Sequence, residues 1–469
     1  MRPIAKKAKK DIHEIWQRQV GEVYPRVFAH RIAGSEDLVR RLDVHAKLEK
    51  HKGCVNTVSF NAAGDILVSG SDDRSVVLWD WDAQQVKLSF HSGHSNNVFQ
   101  AKIMPFADDI SIVTCAADGQ VRHAQIREGG QVDTIKLSRH RGRAHKLAIE
   151  PGSPHIFYTC GEDGVVQHFD LRTHTATKLV TCKSFNGRST YMPIVALNAI
   201  AIDPRNPNLF AIGGSDVYAR LYDVRKYKWE GSTDEIQPTD CFCPTHLVGN
   251  DDVGITGLAF SDHSELLLSY NDELIYLFPK GTGLGSDPQS SSSKDVCEGS
   301  EGPQVYKGHR NADTVKGVNF FGPNCEYVTS GSDCGRIFIW RKKDSQLVRV
   351  MEGDKDVVNC VEPHPHATVL ATSGIENNIK IWTPKASEPV PLPTTIEEVK
   401  SDRRSRWSRF FTPNDLMMHI LSRSNAERQH NAGEDDNLEI VEYVMSFTDG
   451  DGSSDDGDAE NSPGDCVVS

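Results

Sequence analysis

His51, Ser69 and Asp73 bring together an imidazole, a hydroxyl and a carboxylate, the parts of a hydrolytic triad, and Trp79 follows in the same stretch. In such a triad the imidazole activates the hydroxyl. Fragments of this set return along the chain, however, and a catalytic centre occurs once. Repetition favours a structural network in which Asp accepts from His, His meets Ser, and Ser meets the indole N–H. Cys241, Cys243 and His246 are three metal-ligating side chains close together. Their spacing is not that of a zinc knuckle and no second cysteine pair follows nearby, so no metal centre is expected. His364-Pro365-His366 reads as a surface turn between strands. Two further sets differ in kind: Asp170-Leu171-Arg172, and Asp223-Val224-Arg225 followed by Lys226. A guanidinium offers a rigid fork of donors to carboxylates and carbonyls, and a neighbouring Asp can hold that fork in place. This is the chemistry of recognition rather than of bond making. No phosphate-cradling loop, zinc-protease helix or nucleophile elbow occurs, and no cofactor is expected.

A repeat positions these residues. The phrase from Ser69-Gly70-Ser71-Asp72-Asp73 to Trp79 returns from Ser330-Gly331-Ser332-Asp333-Cys334 to Trp340, and from Ser373-Gly374-Ile375-Glu376 to Trp382. The equivalent anchors are Trp79, Ala124, Phe169, Tyr222, Phe278, Trp340 and Trp382, spaced 45, 45, 53, 56, 62 and 42 residues apart. Before each anchor lie an apolar strand such as Val55–Phe60, a Gly/Asn/Asp turn and a second strand such as Ile66–Gly70. Short strands with such turns make an all-β fold, and seven anchors predict seven blades of a propeller, the longer gaps holding loop insertions. A closed ring needs one blade built from both chain ends, and Val44–Leu48 is the strand expected to complete the last one.

Each unit resembles the WD40 repeat, over roughly residues 41–385. The resemblance makes His51, Ser69, Asp73 and Trp79 the buried tetrad of the first blade. The other copies are partial. The second keeps His94 and Asp118 with Ala124 as anchor, and the third has His145, Asp163 and Phe169. The fourth has Asn198 in the His position, and the fifth keeps Asp272 and Phe278. The sixth pairs His309 with Cys334, and the seventh has Asp354 and Glu376. Only the first reads as complete, so packing must hold the rest.

The 469 residues therefore divide into a basic N-terminus and helical arm (1–40), the propeller (41–390), an amphipathic helix (395–430) and an acidic, disordered tail (431–469). In the arm, Ile12, Ile15, Trp16 and Gln19 lie at helical spacing until Gly21, and Ser35 is placed to cap a second helix through Leu42. The arm either pads the propeller or binds a partner. Residues 281–304 are Gly/Ser-rich and read as a disordered loop, and 226–245 as an insertion carrying Tyr227, Trp229 and Phe242. The net charge of −13 disfavours nucleic acid as a partner of the whole molecule. Eleven scattered cysteines suit reduced thiols in the cytosol or nucleus. No secretory leader or membrane-spanning run is expected, and Lys6–Lys10 is a candidate nuclear import signal.

The boxes ending blades three and four, Phe169-Asp170-Leu171-Arg172 and Tyr222-Asp223-Val224-Arg225-Lys226, resemble those of the substrate receptors of cullin-4 RING ubiquitin ligases. Longer stretches resemble one branch, the eighth-numbered cullin-4-associated factor: Ser35–Leu42, Leu48–Asn56, Tyr306–Asn311 and Ser330–Gly335, with Cys334 fitting that branch. The resemblance implies that Asp170, Arg172, Asp223, Arg225 and Lys226 contact the ligase's multi-propeller adaptor, and that the arm does so too. A protein substrate is the other implied partner. The departures are the absence of Trp at either anchor and Thr173 in place of a basic residue. A propeller scaffold without the ligase, such as a chromatin reader, is the alternative.

Overall fold

The computed structural model describes residues 13, 15–185, 194–227, 237–250, 252–288, 302–312 and 314–393. The segments expected as a C-terminal helix (395–430) and tail (431–469), and the basic Met1–Lys10, lie outside them. Twenty-eight strands among the described residues form seven four-stranded antiparallel sheets. The fold is a seven-bladed β-propeller.

Within blades one to six strands A to D run outwards in chain order. In blade one they are Val55–Phe60, Ile66–Ser71, Ser75–Asp80 and Gln85–His91. Burial is highest at strand B and lowest at strand D. Strand B is covered by neighbouring blades on both faces, and in blade two all six residues of Ser111–Ala116 are buried. Strand D is the exposed edge: Gln85–His91 has no buried residue, and Lys87 on it is a charge that discourages edge-to-edge pairing. The recurrent glycine ending strand B has a steric cause. A Cβ on Gly161 would lie 2.7 Å from the Arg143 carbonyl oxygen, and one on Gly374 would collide with that of Val357. The inner strand bulges towards this point in every blade but the sixth.

Asp43–Glu49 pairs antiparallel with Asn378–Thr383 as strand D of blade seven, so the N-terminal end of the propeller closes the ring. Strand parity then fixes two rims. The A–B and C–D turns emerge on one, here the lower rim, and the B–C turns and blade-to-blade connections on the other. Because Asp43 begins a strand D, the arm preceding it enters from the lower rim.

The blade-one tetrad is formed. The Trp79 indole N–H donates to Ser69 Oγ (2.9 Å), Ser69 Oγ lies 2.7 Å from His51 Nε2, and His51 Nδ1 lies 3.0 Å from Asp73. Blades two and three keep more of it than the sequence suggested. His94 joins Asp118 to Thr114, and His140, not His145, joins Asp163 to Thr159. Thr supplies the hydroxyl where the tryptophan is missing. His145 instead stacks on Phe99 and reaches Glu162. The register could have shown this, because the true His precedes strand A by four residues in all three blades, at 51, 94 and 140. Asn198, aligned to His145, binds the Ile255 carbonyl and belongs to no tetrad.

Blades four and seven replace the histidine with a cation from strand C. Arg220 makes a fork with Asp216, and Lys380 reaches both Asp354 and Glu376. In blade six, His309 is buried with neither ring nitrogen bonded among the described residues, and Cys334 contacts Ser332. The buried pair Lys316–Asp333 occupies this blade instead.

Burial raises the Asp118 carboxyl, but hydrogen bonds from His94 and from the Ser95 and Gln120 amides outweigh it and hold it well below its usual 3.8. A lowered carboxylate contributes stability above its unfolded pKa and loses it as pH falls towards the folded one. Asp118→Asn is therefore expected to destabilise the propeller by about 1–3 kcal/mol near neutrality. The gap to wild type should narrow below about pH 4. Urea unfolding across that range checks this, and a gap independent of pH would contradict it.

Candidate functional site

Arg172 and Arg225 follow the last residue of strand C in blades three and four, so both stand on the lower rim. Each box folds back on itself. The amide of Arg172 donates to Asp170 Oδ1, and its Nε and Nη2 donate to the two carboxylate oxygens at 3.0 and 2.7 Å. Arg225 repeats this on Asp223 at 2.9 and 2.6 Å. The carboxylates are largely covered, whereas the arginine side chains are 62% and 64% exposed. The Arg172 hydrogen bonds pull the Asp170 carboxyl down to about 2. Hydrogen bonds from Arg225 lower the Asp223 carboxyl, first among its causes. Two of five N–H donors are thus committed to the aspartate and three point outwards from an immobilised plane. Lys226 beside the second box donates to Thr239 (3.3 Å).

The bases of the two boxes are apolar. Phe169 stacks on Phe157 at 4.6 Å, and Tyr222 on Phe210 at 5.4 Å. Both anchor aromatics are buried, so each box stands on a packed ring although neither is tryptophan.

The arm occupies the same rim under blades six and seven. Helix α1 is Pro25–Ala33 and helix α2 is Glu36–Arg40. The Ala33 carbonyl accepts from Thr368 Oγ1 (2.9 Å) and the Gly34 carbonyl from Tyr327 (3.1 Å), while Arg341 donates to Glu36 (2.6 Å). Val39 and Leu42 are fully buried in the cluster holding Phe321, Tyr327 and Trp382. The chain-terminal side joins them: Arg40 Nε donates to the Val390 carbonyl (2.7 Å). Helix α2 was expected, although Ser35 caps it without a side-chain hydrogen bond. Helix α1 was missed. Its signal was Pro25 at the first turn with Phe28 and Ile32 one turn apart. While α2 is packed, the outer part of the arm is not: Ile15, Trp16, Val20, Tyr24 and Val27 are all exposed, Tyr24 at 81%.

Other expected features take structural places. Cys241 and Phe242 lie on strand D of blade four, and both are buried with Cys243 in the propeller. No group of three or more potential metal ligands occurs among the described residues. The 226–245 insertion is therefore partly blade. Of the loop expected at 281–304, residues 289–301 lie outside the described residues; at its edges the Leu284 N–H donates to the Cys241 carbonyl and Gln304 opens a strand. His364-Pro365-His366 lies in the turn between Val358–Pro363 and Leu370–Gly374, as expected, and its imidazoles reach the Gly64 and Ala62 carbonyls of blade one.

The WD domain, G-beta repeat model matches residues 43–80, 302–341 and 345–383. The chain is 29% identical over 361 residues to DDB1- and CUL4-associated factor 6 of Mus musculus, covering 74% of this chain and 40% of that protein. The Homo sapiens protein of the same name is also 29% identical, with 74% and 41% covered. Protein ALTERED SEED GERMINATION 2 of Arabidopsis thaliana is 32% identical, with 55% and 38% covered. The chain spans about two fifths of the length of these relatives. It is a seven-bladed propeller carrying WD40 repeats, and it is similar to DDB1- and CUL4-associated factors.

Proposed function

We propose that the chain is a substrate-recruiting, non-catalytic subunit of a cullin-4 RING ubiquitin ligase, on the branch of the eighth-numbered cullin-4-associated factor. It works in the cytosol, the nucleus or both. The observation that carries this reading is the shared rim: two preorganised arginine forks on adjacent blades and an arm with uncovered apolar side chains, all on one side of the propeller. The similarity to factors named for DDB1 and CUL4 supports DDB1 as the adaptor bound there.

The mechanism is positional. The lower rim holds the adaptor, which leaves the upper rim to a protein substrate. Tethering raises the concentration of that substrate near the ubiquitin-loaded enzyme, and this chain makes and breaks no bonds.

Affinity purification of the wild-type chain, read by mass spectrometry, is expected to recover DDB1 and CUL4 together. Recovery of other proteins without either would favour a scaffold outside the ligase. A Trp16→Glu/Tyr24→Glu variant tests the arm separately. Both side chains are half or more exposed, so the fold should survive while adaptor recovery drops about tenfold or more. Unchanged recovery would reduce the arm to padding.

A further inference from the structure

Among the described residues, Phe106 is the most exposed large apolar side chain of the propeller strands and turns, at 76%. It sits in the A–B turn of blade two, between Val98–Ile103 and Ser111–Ala116, and therefore on the lower rim. The turn is unusual in its backbone. Phe106, Asp108 and Asp109 all have left-handed φ, at 56°, 47° and 58°, and none is glycine. Aspartate enters that region readily, but a bulky side chain such as Phe106 resists it and persists there only where the surroundings hold it.

The surroundings do hold it. On one side Asp109 accepts from Asn61 of blade one (3.0 Å). On the other, Met104 and Ala107 pack into the apolar cluster that contains Phe169 and Leu171 of the blade-three box. Within the turn the Ile110 amide donates to the Ala107 carbonyl. The ring is thus displayed from a fixed loop that shares its base with the Arg172 fork. A free surface turn gains nothing from strain that points an aromatic ring at water. An interface gains an anchor already in place, with little freedom left to lose on binding.

We propose that Phe106 is an adaptor contact, extending the Arg172–Arg225 surface to blade two, with its ring entering an apolar pocket beside the acceptors that take the two guanidinium forks. This rests on the ligase-receptor reading above. The partner surface it fits combines an apolar hollow with carboxylates or carbonyls along one edge. Aromatic and arginine anchors of this kind dominate protein interfaces.

The test is the affinity of the purified chain for purified DDB1, with Phe106→Gly and Phe106→Tyr beside wild type and Arg172→Ala. Glycine suits a φ of 56°, so Phe106→Gly is expected to match or exceed wild type in thermal midpoint. Its affinity should nevertheless fall about tenfold or more, while Phe106→Tyr retains binding. If Phe106→Gly binds within about twofold of wild type while Arg172→Ala is weakened, the inference fails and the receptor reading survives. If Phe106→Gly leaves adaptor affinity intact but dissolves a dimer of the chain, the ring serves a second copy and the inference is overturned. If no form binds DDB1, the receptor reading falls and this inference with it.

Discussion

Changing both Arg172 and Arg225 to alanine is expected to weaken DDB1 binding by about 100-fold or more, with almost no change in the stability of the propeller. The two halves of that expectation have separate grounds. Each fork carries three outward N–H donors, and hydrogen bonds from a charged group contribute about 1.5–3 kcal/mol each. Losing one such bond per fork gives about 3–6 kcal/mol, or at least about two decades in Kd. On the folding side, both arginines are mostly exposed, and their pairs with Asp170 and Asp223 span only two residues. Exposed pairs of this kind add little to stability, because water screens them and ordering two long side chains costs entropy. Lysine should not rescue either position, since an ammonium lacks the planar fork that the aspartate orients. Titration calorimetry with purified components, alongside urea unfolding, separates the two effects. A variant that keeps wild-type affinity would make the boxes structural.

The largest expected effect on folding lies in blade six. Asp333→Ala should destabilise the chain by about 3–5 kcal/mol, because it removes the carboxylate that Lys316 and its neighbours bond in a buried network. Both side chains are fully buried. Asp333 also accepts from the Ala312 amide (2.6 Å) and Thr314 Oγ1 (3.2 Å), and Lys316 donates to the Thr314 carbonyl (3.1 Å). This network takes the place of the tetrad that His309 does not complete. His309 is pushed down to about 4, by burial first and then by Lys316. The imidazole is therefore neutral near pH 7. Removing both charges, as Lys316→Met/Asp333→Leu, should recover much of the loss, since apolar replacement of a buried pair is often near neutral. A double variant no more stable than Asp333→Ala would show that the pair is not the source of the effect.

Much of this was legible in the chain. Seven anchors, the glycine ending strand B and the closing strand near Val44 are spaced by backbone geometry, which sequence records directly. The fork in each box follows from Asp and Arg two residues apart. The rim shared by boxes and arm also follows, once strand parity is counted from the closing strand. What escaped depends on contacts between distant residues. A local sequence match points to His145 as the tetrad histidine, whereas the four-residue offset to strand A points to His140. Arg220 and Lys380 replace histidine from strand C, a place that carries no fixed signature. Phe106 drew no notice because exposure and φ are properties of the folded turn. Helix α1 was lost between two stronger helical signals.

Hydrogen exchange of the purified chain, with and without purified DDB1, tests the central claim most directly. The predicted result is protection at the C–D turns of blades three and four and along the N-terminal arm, with the upper rim exchanging as in the free chain. Protection confined to the upper rim, or none at all with adaptor in excess, would contradict it.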